Sequence, residues 1–461
     1  MKKISSLYSC LNVIATLLII FFINSSYAEQ QPLSFKKAIQ IAQQNDPWLD
    51  GSRHQQQALT LQSYVAKTLP DPKVSIAFAN LPTDGFNFSQ EAMTQFKVGV
   101  SQVFARGDSL NIKSQKLKLQ SQQQPLLRQD RMSKVAVTVG SLWLDLFRVQ
   151  QSIKLIEKNR NLFEQLAEVA EASYGSALGK TRQQDIVRAQ LELTRLEDKL
   201  NQLQQQNENY QGMLEQWLTN FSFSSQHNSQ YQNTTVFTSP FRVGGKQPDI
   251  ELMFEENIYE QNGIDESELV ALLSLHPAIK TIDKKVAAVK TGINLAEQKY
   301  QPQWGINASY GYRANDAMGS SRADLFSVGL SFDVPLFTKH RQDNEVKSAT
   351  LKAEAAKTEK LLLFRKLMSS FISAKGKLTR LTKRQVLYQE QLLPQIHDQA
   401  EASLTAYTND DGDFAEVVRA RIAELNAKID FLAINVEKQK INLEVNYLFV
   451  GSIANQQLGE K

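Results

Sequence analysis

Cysteine is nearly missing from this chain of 461 residues: there is one, Cys10. A single thiol excludes an internal disulfide and a multi-thiolate metal site. Histidine is scarce too. His54, His227, His276, His340 and His397 are scattered with no i, i+4 pairing, so a dedicated zinc or copper site has no support. Only 12 prolines and 20 glycines interrupt the chain, and Gln, Lys, Leu and Ala are abundant, a mixture that favours long helices. An excess of one charge is lacking as well. The formal net charge of +4 gives no reason to expect nucleic acid as a partner. No nucleophile–base set, metalloprotease motif or dinucleotide fingerprint occurs, so no catalytic or cofactor-binding residue is assigned and no enzyme is expected. After the first 28 residues no run of 18 or more apolar residues appears, which excludes membrane spans of the helical kind.

What is present begins with a leader. Lys2 and Lys3 precede an apolar run from Leu11 to Ile23, and Ser26-Tyr27-Ala28 supplies the small residues of a cleavage site. Residues 1–28 therefore read as a signal peptide removed before Glu29, and export follows. Its loss takes the formal charge from +4 to +2. Cys10 lies inside the leader, so it is not placed to carry lipid on the first mature residue.

The mature chain repeats itself. Pro47 in Asn45-Asp46-Pro47-Trp48-Leu49 is matched by Pro277 in Leu275-His276-Pro277-Ala278-Ile279. Pro72 is matched by Pro302, and Gly99 in Val98-Gly99-Val100-Ser101 by Gly329 in Val328-Gly329-Leu330-Ser331, always at an offset of 230. Three landmarks at one offset indicate a tandem duplication. The boundaries expected are 29–218 for the first repeat, 219–264 for a linker or equatorial segment rich in Ser, Asn, Gln and Thr, 265–450 for the second repeat, and 451–461 for a tail.

Each repeat opens with helical spacing, over 34–67 and 265–299, and prolines 70, 72 and 302 end it. Two strands follow. Val74, Ile76 and Phe78, then Phe96, Val98 and Val100, alternate with small or polar residues. Trp304 to Tyr312 and Phe326 to Phe332 do the same in the second repeat. Hairpins on a soluble core would show such alternation too. The strands, however, run ~9 to 10 residues with aromatic ends, the length of a tilted membrane strand. A membrane barrel needs at least ~8 strands and one chain offers four, so the chain is expected to oligomerise.

Helical pattern then resumes and persists, from Ser109 to about Ser173 and from Gln342 to Ala406. Each stretch of 65 residues would reach ~100 Å. Their small and polar contact faces, as in Lys352-Ala353-Glu354-Ala355-Ala356-Lys357, fit a tube of helices around water better than a dry bundle. Each ends in a turn, Tyr174 to Gly179 or Tyr407 to Gly412, and a returning helix follows with Val187-Arg188-Ala189 or Val418-Arg419-Ala420.

The turns carry the candidate functional residues. Gly175-Ser176-Ala177-Leu178-Gly179-Lys180-Thr181 is one residue short of a phosphate-binding loop, and a helix precedes it where a strand is required. It reads as a hairpin tip, basic through Lys180 and Arg182. The second tip holds Asp410, Asp411 and Asp413 with Glu416. A solvated acidic turn is the bland reading, and the distal Glu of a calcium loop is absent. The functional reading is an acidic ring of Asp410, Asp411 and Asp413 at a pore mouth, concentrating cations and pairing with the basic tip.

In order and spacing, the duplication, the paired strands, Pro394-Gln395 before the Tyr407–Gly412 turn and the Val-Arg-Ala sequences resemble the TolC family of outer-membrane factors across nearly all of the mature chain. The resemblance implies a mainly α fold with a small membrane β-barrel: a homotrimer whose twelve-stranded outer-membrane β-barrel, four strands per chain, continues as a long periplasmic α-helical barrel. It implies a passive duct in the outer membrane of a Gram-negative bacterium. It also implies docking through the tips to a periplasmic adaptor and an inner-membrane pump of the RND type, with Leu178, Gly179, Lys180, Arg182, Gly412 and Val417 as candidate contacts. Leu69-Pro70-Asp71-Pro72 and Asn80-Leu81-Pro82-Thr83-Asp84-Gly85 look most like the heavy-metal branch, the cobalt–zinc–cadmium and copper–silver systems. Drug efflux, type I protein secretion and, in a different class, a periplasmic coiled-coil adaptor or scaffold stand as alternatives.

Overall fold

The structure is a computed structural model, and it describes residues 32–175, 182–223, 231–235, 242–253, 264–409 and 411–452. The leader and Cys10 lie outside those residues, as do Leu178, Gly179, Lys180 and Asp410. The element order runs through the same sequence twice. Helices α1 (Phe35–Gln44) and α2 (Pro47–Val65) precede β1 (Lys73–Ala79), β2 (Gln95–Val103), α3 (Ser109–Ser121), α4 (Gln123–Tyr174) and α5 (Gln183–Leu218). A ribbon of β3 (Thr219–Phe223) and β4 (Tyr231–Thr235) intervenes. Then come α6 (Glu266–Ser274), α7 (Pro277–Glu297), β5 (Trp304–Tyr312), β6 (Leu325–Phe332), α8 (Gln342–Leu387), α9 (Leu393–Thr408) and α10 (Phe414–Leu448).

Two compact units divide the chain, and each draws on both halves of the sequence. One holds the described residues up to Asn45, Val135–Ile250 and Arg380–Leu443; the other holds Asp46–Lys134, Glu251–Thr379 and the residues from Glu444.

In the first unit, Trp143 is the centre of the core. Its ring stacks on Phe147 at 5.5 Å and meets Phe35 edge-on at 5.6 Å. Its indole N–H donates to the Leu33 carbonyl at 2.8 Å, which satisfies the one polar atom this large side chain buries. Leu33 forms a parallel bridge with Val243, so the segment after β4 is tied back to the start of the chain. Gly140 allows this packing: a Cβ there would stand 2.8 Å from the Leu443 side chain. A second cluster joins Ile156, Phe163, Leu196 and Leu200 with Phe414, Val417 and Leu425, so the two helical hairpins share an apolar seam.

In the second unit the helix contacts are small and polar. Ser52, Ser63, Ser114 and Ser121 are buried, and Thr60 Oγ1 meets Ser121 Oγ at 2.8 Å. On α8, Ala353, Ala356, Phe371 and Ala374 are buried, a mixture of small and aromatic residues that lets helices approach closely. The sheet order is β1-β2-β5-β6, all antiparallel, so the pair joining the two repeats is β2 with β5. At the turn end of the sheet, Arg313 donates to Ala92 O at 3.3 Å and Arg322 to Glu91 O at 3.1 Å, which tie the two hairpin loops together.

Two expectations need correction. The stretch from Ser109 is not one helix: α3 ends at Ser121 and α4 begins at Gln123. Pro125 is the cause, because it has no N–H to offer the Ser121 carbonyl four residues back, whereas the first turn of a new helix tolerates it. The stretch from Gln342 widens into a π turn at Tyr388–Leu392 before Pro394 resumes the helix in α9. Here the ring removes the bond to Glu390, and one wide turn absorbs the mismatch. Within the segment 219–264, β3 and β4 pair from Thr219↔Thr235 to Phe223↔Tyr231.

Candidate functional site

The sheet shows why the alternation in the sequence matters. Across the four strands Ile76, Val98, Tyr310 and Phe326 stand in register, as do Val74, Val100, Ala308 and Val328. Because side chains alternate at every residue, these rows share one face. The rows between them are Ser75, Gly99, Ser309 and Ser327, then Lys73, Ser101, Asn307 and Gly329. One face is therefore continuous, large and apolar, and the other is small and polar. Ile76, Phe78, Phe326, Val328 and Leu330 are all exposed in the chain. Water does not favour so wide an apolar surface, and exposed patches of this kind mark interfaces. The outer edges of β1 and β6 have no partner strand among the described residues.

The second hairpin tip is built by capping. At the end of α9, the Asn409 N–H reaches Thr405 O at 3.1 Å and the Asp411 N–H reaches Ala406 O at 2.9 Å. The chain then turns so tightly at Gly412 that a Cβ would lie 2.6 Å from Tyr407 N. Only glycine fits. Asp413 is the N-cap of α10, its Oδ1 accepting from Ala415 N at 3.1 Å. Its carboxylate thus has a structural partner, whereas Asp411 is exposed with no ion pair among the described residues. Val417 is 0 % exposed inside the apolar seam. It supports the tip from within. Arg182, at the start of α5, is exposed, and its N–H is held by Asp185 Oδ2 at 2.9 Å.

Behind the second tip lies a charged network that sequence reading missed. Arg421 bridges Glu401 at 2.7 Å and Glu424 at 3.0 Å, while Glu424 also meets Lys428 at 2.7 Å and His397 Nδ1 at 2.9 Å. Burial pushes the Glu424 carboxyl up, but hydrogen bonds from Lys428, His397 and Arg421 outweigh it and hold the pKa at about 2. The signal was present as Glu424 and Lys428 four apart on one helix, yet the partners on α9 are distant in sequence.

His276 is a helix cap. It precedes Pro277, and its Nδ1 accepts from Ala278 N at 3.1 Å, as Asp46 Oδ1 accepts from Trp48 N at 3.1 Å before Pro47. The repeat thus keeps the capping job and changes the residue. Among the described residues no group of three or more His, Cys, Asp or Glu is arranged to hold a metal ion. No described helix is long and apolar enough to cross a membrane.

No family model matches the chain, and no curated protein does. Solved structures do. The Campylobacter jejuni CmeC outer membrane channel aligns with a TM-score of 0.69 at 14 % identity, covering 92 % of this chain and 89 % of that one. The outer membrane protein VceC of Vibrio cholerae aligns at 0.68 and 13 %, covering 90 % and 95 %. CusC, whose structures concern folding and transmembrane channel formation, aligns at 0.68 and 12 %, covering 91 % and 92 %. At such identities the likeness is one of fold. This chain is mainly helical with a small antiparallel sheet, and it shares the fold of outer-membrane channel proteins.

Proposed function

We propose that this chain is the outer-membrane channel of a tripartite efflux system. It would be a passive homotrimeric duct, exported through a cleaved leader, not lipidated, and joined by a periplasmic adaptor and an inner-membrane pump. The carrying observation is the sheet: four strands with one apolar face and two open edges. Open edges invite pairing, and four strands fall short of the ~8 that a membrane barrel needs. Three chains bring twelve strands, with β6 of one copy paired to β1 of the next. The apolar face then meets lipid and the Ser, Gly and Asn face lines water. A periplasmic scaffold would have no use for that outward face.

The cargo proposed is heavy-metal cations. The support is the likeness of Leu69-Pro70-Asp71-Pro72 and Asn80 to Gly85 to the heavy-metal branch. A hydrated duct needs no dedicated metal site for this, since selection would rest with the pump. The test is fractionation followed by electrophoresis with and without heating. A band in the outer-membrane fraction that runs as a trimer until boiled is expected; a soluble periplasmic monomer would overturn the channel reading. A deletion strain should become sensitive to cobalt, zinc, cadmium, copper or silver at unchanged drug tolerance. The opposite pattern would reassign the cargo to drugs.

A further inference from the structure

The four strands β1, β2, β5 and β6 contain no Asp or Glu, and the charged residues they do hold are two lysines, Lys73 on β1 and Lys97 on β2. Both stand on the small, polar face of the sheet. Lys97 lies in one row with Ala77, Gly311 and Leu325, and Lys73 in one row with Ser101, Asn307 and Gly329. Parity forces the placement of Lys97, because Phe96 and Val98 on either side of it belong to the apolar face. The two rows stand ~13 Å apart along the strand. Neither lysine forms an ion pair among the described residues. Directly across from Lys97 are Ala77 and Gly311, which offer no charge and little bulk to cover it.

The acids nearest to these lysines stand off the strands. At the end of the sheet next to the helices, Asp333 is taken by the Arg106 guanidinium and by Gln303 N at 2.6 Å. Asp71, exposed two residues before Lys73, tempers the positive charge at that level. At the turn end, Asp84 accepts from Gln90 at 3.0 Å, and Asp324 accepts from the Tyr310 hydroxyl and from Arg313 N. Arg322 is bound there to the Glu91 carbonyl, which sets a positive charge beside that acid. Lys97 is therefore the level of the sheet where positive charge is least offset.

We infer that Lys97 forms an anion-selecting ring in the barrel, with Lys73 as a weaker level nearer the helices. The inference rests on the trimeric channel reading: three copies put three Lys97 side chains at one height, on the face that lines water. Substitutions on that face of a membrane barrel tune selectivity, whereas a lysine on the other face would meet lipid. Rings of cationic side chains favour anions and repel cations. At physiological ionic strength a screening length of about 8 Å lets each charge act well beyond the end of its side chain. Bare divalent cations meet the highest barrier at this height. A metal cargo would therefore cross it most readily as a neutral or anionic complex.

Reversal potentials of the assembled channel in planar bilayers, under a gradient of potassium chloride, test the ring. The background is the variant carrying Asp410→Asn, Asp411→Asn and Asp413→Asn, so that the hairpin tips add no cation preference of their own. At ~0.1 M salt, where the screening length is about 10 Å, chloride should permeate this background more readily than potassium. Lys97→Gln should lower the chloride-to-potassium permeability ratio about three- to tenfold, since charges lining a cleft set potentials of kT or more. Lys97→Glu should reverse the preference and Lys97→Arg should keep it. Ser309→Gln, on the same face and without charge, should leave it unchanged. The effect of Lys97→Gln should fade toward ~1 M salt, where the screening length is about 3 Å. A potassium preference in the background, or an unchanged ratio in Lys97→Gln trimers, would overturn the ring. A parent chain that yields neither heat-resistant trimers nor conductance steps would overturn the channel reading, and the ring with it.

Discussion

At the scale of single residues, the caps explain most of what the sequence offered and some of what it concealed. Asp46 and His276 stand at matched positions, each before a proline, and each caps the helix that follows. What the sequence could not show is its burial. His276 is 0 % exposed, packed edge-on against Tyr447 at 4.8 Å, and Tyr447 donates to Asp130 Oδ1 at 2.8 Å. Burial lowers the imidazole pKa; Asp130 and the Tyr447 backbone oppose this and Lys134 adds to it. The cap also requires a neutral ring, because Nδ1 is an acceptor. The sign follows. Above the unfolded pKa of about 6.5 both states are neutral and the contribution is intact. As pH falls below it, the unfolded chain takes up a proton that the folded chain refuses, at about 1.4 kcal/mol per unit of depression. His276→Asn keeps a good cap and removes the titration. Its melting temperature in detergent should therefore fall less than that of the parent between pH 7 and pH 5. Parallel curves would show that His276 is not the titrating group. Asp413 and Val417 make the complementary point: a carboxylate in a turn and an apolar residue beyond it looked alike as surface features, and only the geometry separates a cap from a core residue.

At the scale of elements, periodicity was legible wherever one face is buried or meant to be. The four strands, their alternation and the long helices on either side were all read from spacing. Three things were not. The β3–β4 ribbon has only five residues a side, and Thr- and Asn-rich β4 carries no apolar alternation to match Phe221 and Phe223 of β3, so the pairing could not be read from pattern. The breaks at Gln122 and at Tyr388–Leu392 come from prolines that the chain accommodates by local tightening or widening, a choice set by packing. The partnership of β2 with β5 joins strands some 200 residues apart, which no local signal encodes. The alternation itself makes a prediction. Val328 and Ser327 are neighbours on opposite faces of β6. If the apolar face meets lipid, Val328→Lys should cost ~2–4 kcal/mol near the membrane centre while Ser327→Lys costs far less. Heat-resistant trimer recovered from outer membranes should drop sharply for the first and little for the second. Equal losses would mean that both faces meet the same surroundings.

At the scale of the whole molecule, the duplication and the proposed trimer act together. One chain has two hairpin tips of unlike charge, Arg182 at one and Asp411 and Asp413 at the other. Three chains would gather six tips in alternation, and the proposed pore mouth would hold at least nine carboxylates if Asp410 is counted. Unlike charges on neighbouring tips attract and would keep the mouth narrow until an adaptor displaces them. The geometry of the second tip sharpens the test of this idea. Asp413 caps α10, so replacing it with Ala would unravel the tip and open the mouth for an uninformative reason. Asn caps as well as Asp, so the variant carrying Asp410→Asn, Asp411→Asn and Asp413→Asn removes charge while keeping the turn. Gly412 stays untouched, since no other residue fits there. Single channels of this variant in planar bilayers should conduct more than the parent, because the attraction that narrows the mouth is gone. The gain should shrink as salt is raised, since screening already weakens the same attraction in the parent. A conductance equal to the parent's at low salt would mean that the tips are held by the buried network of Arg421 and Glu424 behind them, and not by the charges at the mouth.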